Sequence, residues 1–125
     1  MNTTYAYDKE KNILYVDLQG EASLAAFDNV MKRITLSSEY PPDIDSIWSL
    51  HNLDLSSLGS NFERSLIYIR KTYPERGEAK IAIISIGDLA YGLSNMYKTM
   101  SKNLPQTMAI FRNQFEAEEW IQGNL

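Results

Sequence analysis

The string Gly87-Asp88-Leu89-Ala90-Tyr91-Gly92-Leu93-Ser94 has the outline of a phosphate loop. It follows an apolar run and opens a helical pattern, a setting in which free backbone N–H groups can hold an anion. Two positions remove that chemistry. Leu93 stands where a lysine would meet the phosphates, and Asp88 places a carboxylate where the anion would sit. The string therefore reads as a capped helix start, with Gly92 allowing close packing on a sheet. His51, Asp54 and Ser57 supply the residue types of a catalytic triad. No serine lies in a G-x-S-x-G nucleophile elbow, so His51 reads as an exposed loop residue rather than a base.

Composition narrows the chemistry further. With no cysteine and one histidine, the chain has no thiol chemistry, no disulfide framework and no His/Cys metal cluster. We expect no metal and no cofactor. A net charge of −4 with scattered basic residues argues against nucleic acid or an anionic membrane as partner. No apolar run approaches membrane-spanning length and no basic-then-apolar leader opens the chain, so a cytoplasmic protein is expected. At 125 residues, 44% apolar and 22% charged, the chain fits one folded domain over residues 1–125.

The elements that must position these residues can be read in order. Thr4–Tyr7 and Ile13–Leu18 flank a polar connection ending in Asn12, which predicts an antiparallel hairpin. In the second run, Leu14, Val16 and Leu18 form an aliphatic face and Ile13, Tyr15 and Asp17 a mixed one. Ser23 caps a helix carrying Leu24, Phe27, Met31 and Ile34 at spacings of three and four, with Val30 widening the stripe. Tyr40-Pro41-Pro42-Asp43 must be a loop. Residues Ile44–Leu50 predict a third strand, and His51–Gly59 a polar loop.

Ser60-Asn61-Phe62-Glu63 has the pattern of a capping box opening a helix with Phe62, Leu66, Ile69 and Tyr73 on its buried stripe. Pro74 stops it. Ile81–Ile86 is an unbroken apolar run, the mark of a strand covered on both faces. Asp88 caps a third helix through Lys102, with Leu89, Leu93, Met96 and Met100 at helical spacing. Thr107–Phe111 forms a fifth strand, and Asn113-Gln114-Phe115-Glu116 opens a last helix carrying Phe115, Trp120 and Ile121 before Gly123. The order is ββαβαβαβα, an α/β fold with a mixed five-stranded sheet and about four helices. Strands joined by single helices must be parallel, with right-handed crossovers.

Several strings resemble one family: Ile47-Trp48-Ser49-Leu50, Lys80-Ile81-Ala82, Tyr91-Gly92-Leu93 with Met96-Tyr97, and Ile110-Phe111-Arg112 with Glu116-Ala117 and Trp120-Ile121. With the topology, they resemble the SpoIIAA-like, STAS/SEC14-type group of small bacterial proteins of uncharacterised function, across nearly the whole chain. The resemblance implies a single-domain STAS-like fold. Such proteins often carry Asp and Arg around the Trp48 strand and Arg before Met96; this chain has Ser49, His51 and Asn95, so no arginine-based anion site is carried over. The resemblance also implies a phosphoserine-controlled partner switch as one role. Asp54-Leu55-Ser56-Ser57-Leu58-Gly59 resembles the phosphoserine loop of the anti-sigma-factor antagonists, with Ser56, Ser57 and Ser60 as phosphorylation candidates. Turn and capping roles for these residues are the plainer reading.

A third class of site comes from the Met and aromatic content. Tyr91, Met96, Tyr97 and Met100 lie on the third helix, and Trp48, Phe62 and Met108 belong to elements expected to face it. Methionine adapts to a variable apolar guest, and ligands of open α/β sheets sit beyond the C-terminal strand ends. Ligand-binding candidates are Trp48 and, around the rim, His51, Ser85, Asp88, Tyr91 and Arg112. Core packing is the competing reading of the same stripe. The function expected is a non-catalytic regulatory or binding module that holds a small apolar or amphipathic ligand, or a regulatory protein. An enzyme of unknown reaction is the remaining alternative. Oligomeric state is not legible, a homodimer being one option.

Overall fold

A computed structural model of the chain describes residues 1–123. Strands β1 (Asn2–Asp8) and β2 (Ile13–Glu21) form the antiparallel hairpin, turned by Asn12 at φ +55°. Helix α1 (Leu24–Leu36), strand β3 (Asp45–Asp54), helix α2 (Phe62–Thr72), strand β4 (Lys80–Ile84), helix α3 (Asp88–Met100), strand β5 (Thr107–Phe111) and helix α4 (Gln114–Ile121) follow. The sheet order is β1-β2-β3-β4-β5, parallel from β2 onward. The chain thus steps one strand across the sheet at each crossover. Crossovers of one hand and one direction place their helices on one face: α1 packs on α2 and α2 on α3. Helix α4 follows the last strand and covers the other face, against β3, β4 and β5.

Strand periodicity divides the core accordingly. Leu14, Val16 and Leu18 of β2, Trp48 of β3, Ile81 and Ile83 of β4 and Met108 of β5 face the three helices. Ile13, Ile47, Ala82 and Ile84 point oppositely and meet Ala117 and Ile121 of α4. The isoleucine run of β4 is therefore covered on both sides, as its lack of alternation implies.

Strand β4 ends at Ile84 rather than Ile86, which is 49% exposed, and the boundaries depart further from the sequence reading in three places. Strand β3 continues through His51–Asp54, read above as loop. Past an irregularity between Asp17 and Gln19, Asn52, Leu53 and Asp54 pair with Gln19, Gly20 and Glu21 of β2, and Leu53 packs against the core. The Ser60–Glu63 capping box does not form. Asn61 occupies the N-cap without a side-chain bond, and the Glu63 side chain turns inward, 6% exposed. Helix α3 has Gly87 rather than Asp88 at its N-cap and ends at Met100. The caps of α1 and α4 form as read: Ser23 Oγ accepts from Ala26 N–H at 3.3 Å and Asn113 Oδ1 from Glu116 N–H at 2.9 Å. In α4 the buried positions are Ala117 and Ile121, while Phe115 is 70% exposed.

Candidate functional site

The three crossover helices do not close fully on the sheet. Between them lies a cavity of about 100 Å³. Its floor is Leu18, Trp48, Leu50, Ile81, Ile83 and Met108 from the four parallel strands. Its roof is Phe27 and Met31 of α1, Phe62, Leu66, Ile69 and Arg70 of α2, and Leu93, Ser94 and Tyr97 of α3, with Leu55 from the loop after β3. Each helix contributes residues three or four apart, the stripe that helical periodicity turns inward. Almost all the lining is apolar, a surface that favours an apolar guest over water.

The polar exceptions are specific. Arg70 is 6% exposed. Its Nη1 donates to Tyr97 Oη at 3.2 Å and its Nη2 to Gln106 Oε1 at 3.0 Å, while Nε–H has no partner. Gln106 in turn donates to the Gly77 carbonyl at 2.8 Å, which fixes its amide. Burial pushes the Tyr97 phenol above its usual pKa, against the opposing influence of the Arg70 charge and hydrogen bond. At neutral pH Tyr97 is therefore a neutral phenol.

Trp48 is oriented from below. Its indole N–H donates to Ser46 Oγ at 2.8 Å, and the same oxygen accepts from Arg76 Nη2 at 3.2 Å. Arg76 is fully buried, its Nη1 held by the carbonyls of Pro42 at 2.9 Å and Ile44 at 2.7 Å. Burial drives its pKa down to about 10, partly offset by Asp45 and Asp43, so it stays charged at neutral pH. A buried cation thus anchors the ring that forms the cavity floor.

Of the ligand candidates read from the sequence, Trp48 lines this cavity; His51, Ser85, Asp88, Tyr91 and Arg112 do not. Asp88, Tyr91 and Arg112 form a separate surface group at the start of α3. The Arg112 guanidinium lies 4.0 Å from the Tyr91 ring centroid, donates to the Ile86 carbonyl at 2.6 Å, and stands 3.6 Å from Asp88. Arg112 therefore staples the β4–α3 turn to the end of β5. Ser85 is fully buried, its backbone N–H bonded to the Phe111 carbonyl and its hydroxyl without a partner. His51 is exposed on β3, and among the described residues no hydrogen bond joins it to Asp54 or Ser57.

The outer face of α3 holds Met96 and Met100, 53% and 43% exposed, so the inward stripe runs through Leu93, Ser94 and Tyr97 instead. The side chain of Leu89 lies outside the described residues. Trp48, Phe62 and Met108 do face α3 across the cavity. Arg70, Gln106 and Ser46 escaped the sequence reading. The available signal was spacing: Arg70 follows Leu66 by four residues and so shares its face.

Ser56, Ser57 and Ser60 are all exposed in the loop before α2. Ser57 Oγ donates to the Ala22 carbonyl at 3.0 Å. Asp54 Oδ1 accepts from Ser56 N–H at 2.9 Å, and these Ser56 contacts hold the Asp54 carboxyl below its usual pKa. That carboxylate would oppose a phosphate on Ser56.

An α/β sheet with three helices on one face and one on the other defines the class of protein, and the comparisons agree with it. A solved structure described as an uncharacterized protein from the DUF3478 family with a SpoIIAA-like fold, from Shewanella loihica PV-4, matches 96% of this chain and 92% of its own. The TM-score is 0.64 at 14% sequence identity. No protein-family model and no curated protein matches the chain. The fold is therefore SpoIIAA-like, as the sequence strings implied. Among the described residues, no helix is long and apolar enough to cross a membrane.

Proposed function

We propose that this protein is a non-catalytic binding module that holds a small apolar or amphipathic molecule between its sheet and helices α1–α3. The observation that carries the reading is the cavity of about 100 Å³ walled by Trp48, Leu66, Met108 and their neighbours. Interiors pack at crystal-like density, and unfilled apolar space costs stability. A guest restores the missing contacts. The side chains of the lining offer grip rather than reaction: no nucleophile is paired with a base among them.

Ser94 provides the test, because it lines the cavity on α3 and is 6% exposed. Ser94→Leu fills the space from within. Xenon under pressure, an apolar probe small enough for a space of about 100 Å³, raises the Tm of the native protein and leaves that of Ser94→Leu unchanged. Equal responses of the two proteins, or none in either, contradict the reading.

A further inference from the structure

We infer that the ligand is a small organic anion, a carboxylate with a short aliphatic or aromatic tail, and that Arg70 and Tyr97 receive its carboxylate. This rests on the binding reading above and adds the chemical class of the guest. Among the described residues Arg70 is the one cation in the cavity lining, and it is almost completely buried. A buried charge is costly unless it is paired. Yet the ion pairs among the described residues are Lys11–Glu118, Arg33–Glu39 and Arg112–Asp88, and none includes Arg70. Its bonds go to two neutral oxygens, and its Nε–H is left without an acceptor. Arg76 likewise bonds neutral oxygens and leaves its Nε–H without an acceptor, but of the two only Arg70 lines the cavity. Glu63, the other buried charge of α2, lies seven residues earlier, about two helical turns away, and is not within ion-pair distance.

A carboxylate beside the Nη groups supplies the missing counter-charge. It offers acceptor oxygens to the planar guanidinium, the partner that arginine geometry suits best. Tyr97 Oη accepts from Arg70, which leaves its own proton to donate to the same anion. Helix direction sets the orientation. Phe62 opens α2 beside Leu55, and both are partly exposed, whereas Arg70 near the other end of the helix bonds Gln106, just before β5. The carboxylate enters first and the tail lies back toward Phe62, among Trp48, Leu66 and Met108. The volume limits the enclosed part of that tail to about four carbons, since an apolar cavity of roughly 150 Å³ takes the six carbons of one benzene.

Calorimetric titration with hexanoate and with 1-hexanol at pH 7 separates the charge from the tail. The native protein binds hexanoate at least tenfold more tightly than hexanol. Arg70→Met loses that preference while still binding hexanol, and Arg70→Lys recovers part of it. Hexanol binding as well as or better than hexanoate in the native protein overturns the inference and leaves the cavity reading standing. Binding of neither overturns both. The native-protein comparison stands alone should Arg70→Met fail to fold, and repeating it at pH 4, where hexanoate is largely neutral, must shrink the difference.

Discussion

Arg76 carries a full charge with no solvent exposure because its donors reach two backbone carbonyls and Ser46 Oγ. Its loss leaves those acceptors buried and frees the Trp48 indole contact from below. Arg76→Met is expected to destabilise the fold by about 2–4 kcal/mol in urea unfolding, as removal of a buried charged hydrogen-bonding group does. Its depressed pKa has a defined consequence. The folded state releases the Arg76 proton near pH 10, earlier than the unfolded chain, so the cost of burying the charge is present at neutral pH and eases above about 10. Neither Arg70 nor Arg76 was legible as a buried residue. Arginines are usually exposed, and only the four-residue spacing from Leu66 set Arg70 on an inward face. The six residues proposed as ligand contacts from the sequence separate for a similar reason: Trp48 faces the helices, while Tyr91 is drawn outward under Arg112. Periodicity places residues on a helix but does not decide which of two stripes turns in.

At the scale of elements, order and type were legible because each strand and helix carries its own period, and the isoleucine run of β4 announced cover on both faces. The extents were less so. The tail of β3 is held by backbone pairing with β2, and its single apolar residue, Leu53, is too sparse a signature to mark a strand. Two predictions belong here. Met96 and Met100 stand on the outer face of α3, so Met96→Lys and Met100→Lys together shift stability by less than about 0.5 kcal/mol per site in denaturant titration. Helix α4 is tied to β2 through Glu118, which accepts from Tyr15 at 3.0 Å, Gln114 at 2.9 Å and Lys11 at 3.2 Å. Burial acts to raise the Glu118 pKa, but these bonds outweigh it and lower it. Tyr15 is pushed up to about 12, by burial first and then by Glu118. A phenol whose pKa is raised by folding contributes stability below its unfolded value near 10, lost as pH rises to about 12. Tyr15→Phe should therefore flatten the alkaline limb of stability between pH 10 and 12 in urea titrations. An unchanged slope contradicts the link.

At the scale of the molecule, a sheet that advances one strand per crossover places α1, α2 and α3 side by side on one face and leaves only α4 for the other. The α4 side closes well, with small Ala117 set against Ala82 and Ile47. The three-helix side must cover a wider sheet, and a gap remains where α1, α2 and α3 meet over Trp48. That gap is where we propose the guest binds. Xenon tests this most directly, since it enters dry apolar cavities and little else in a protein. A crystal pressurised with xenon should show an ordered atom between Trp48, Leu66 and Met108. Solid packing at that point, with no xenon bound there, would contradict the account.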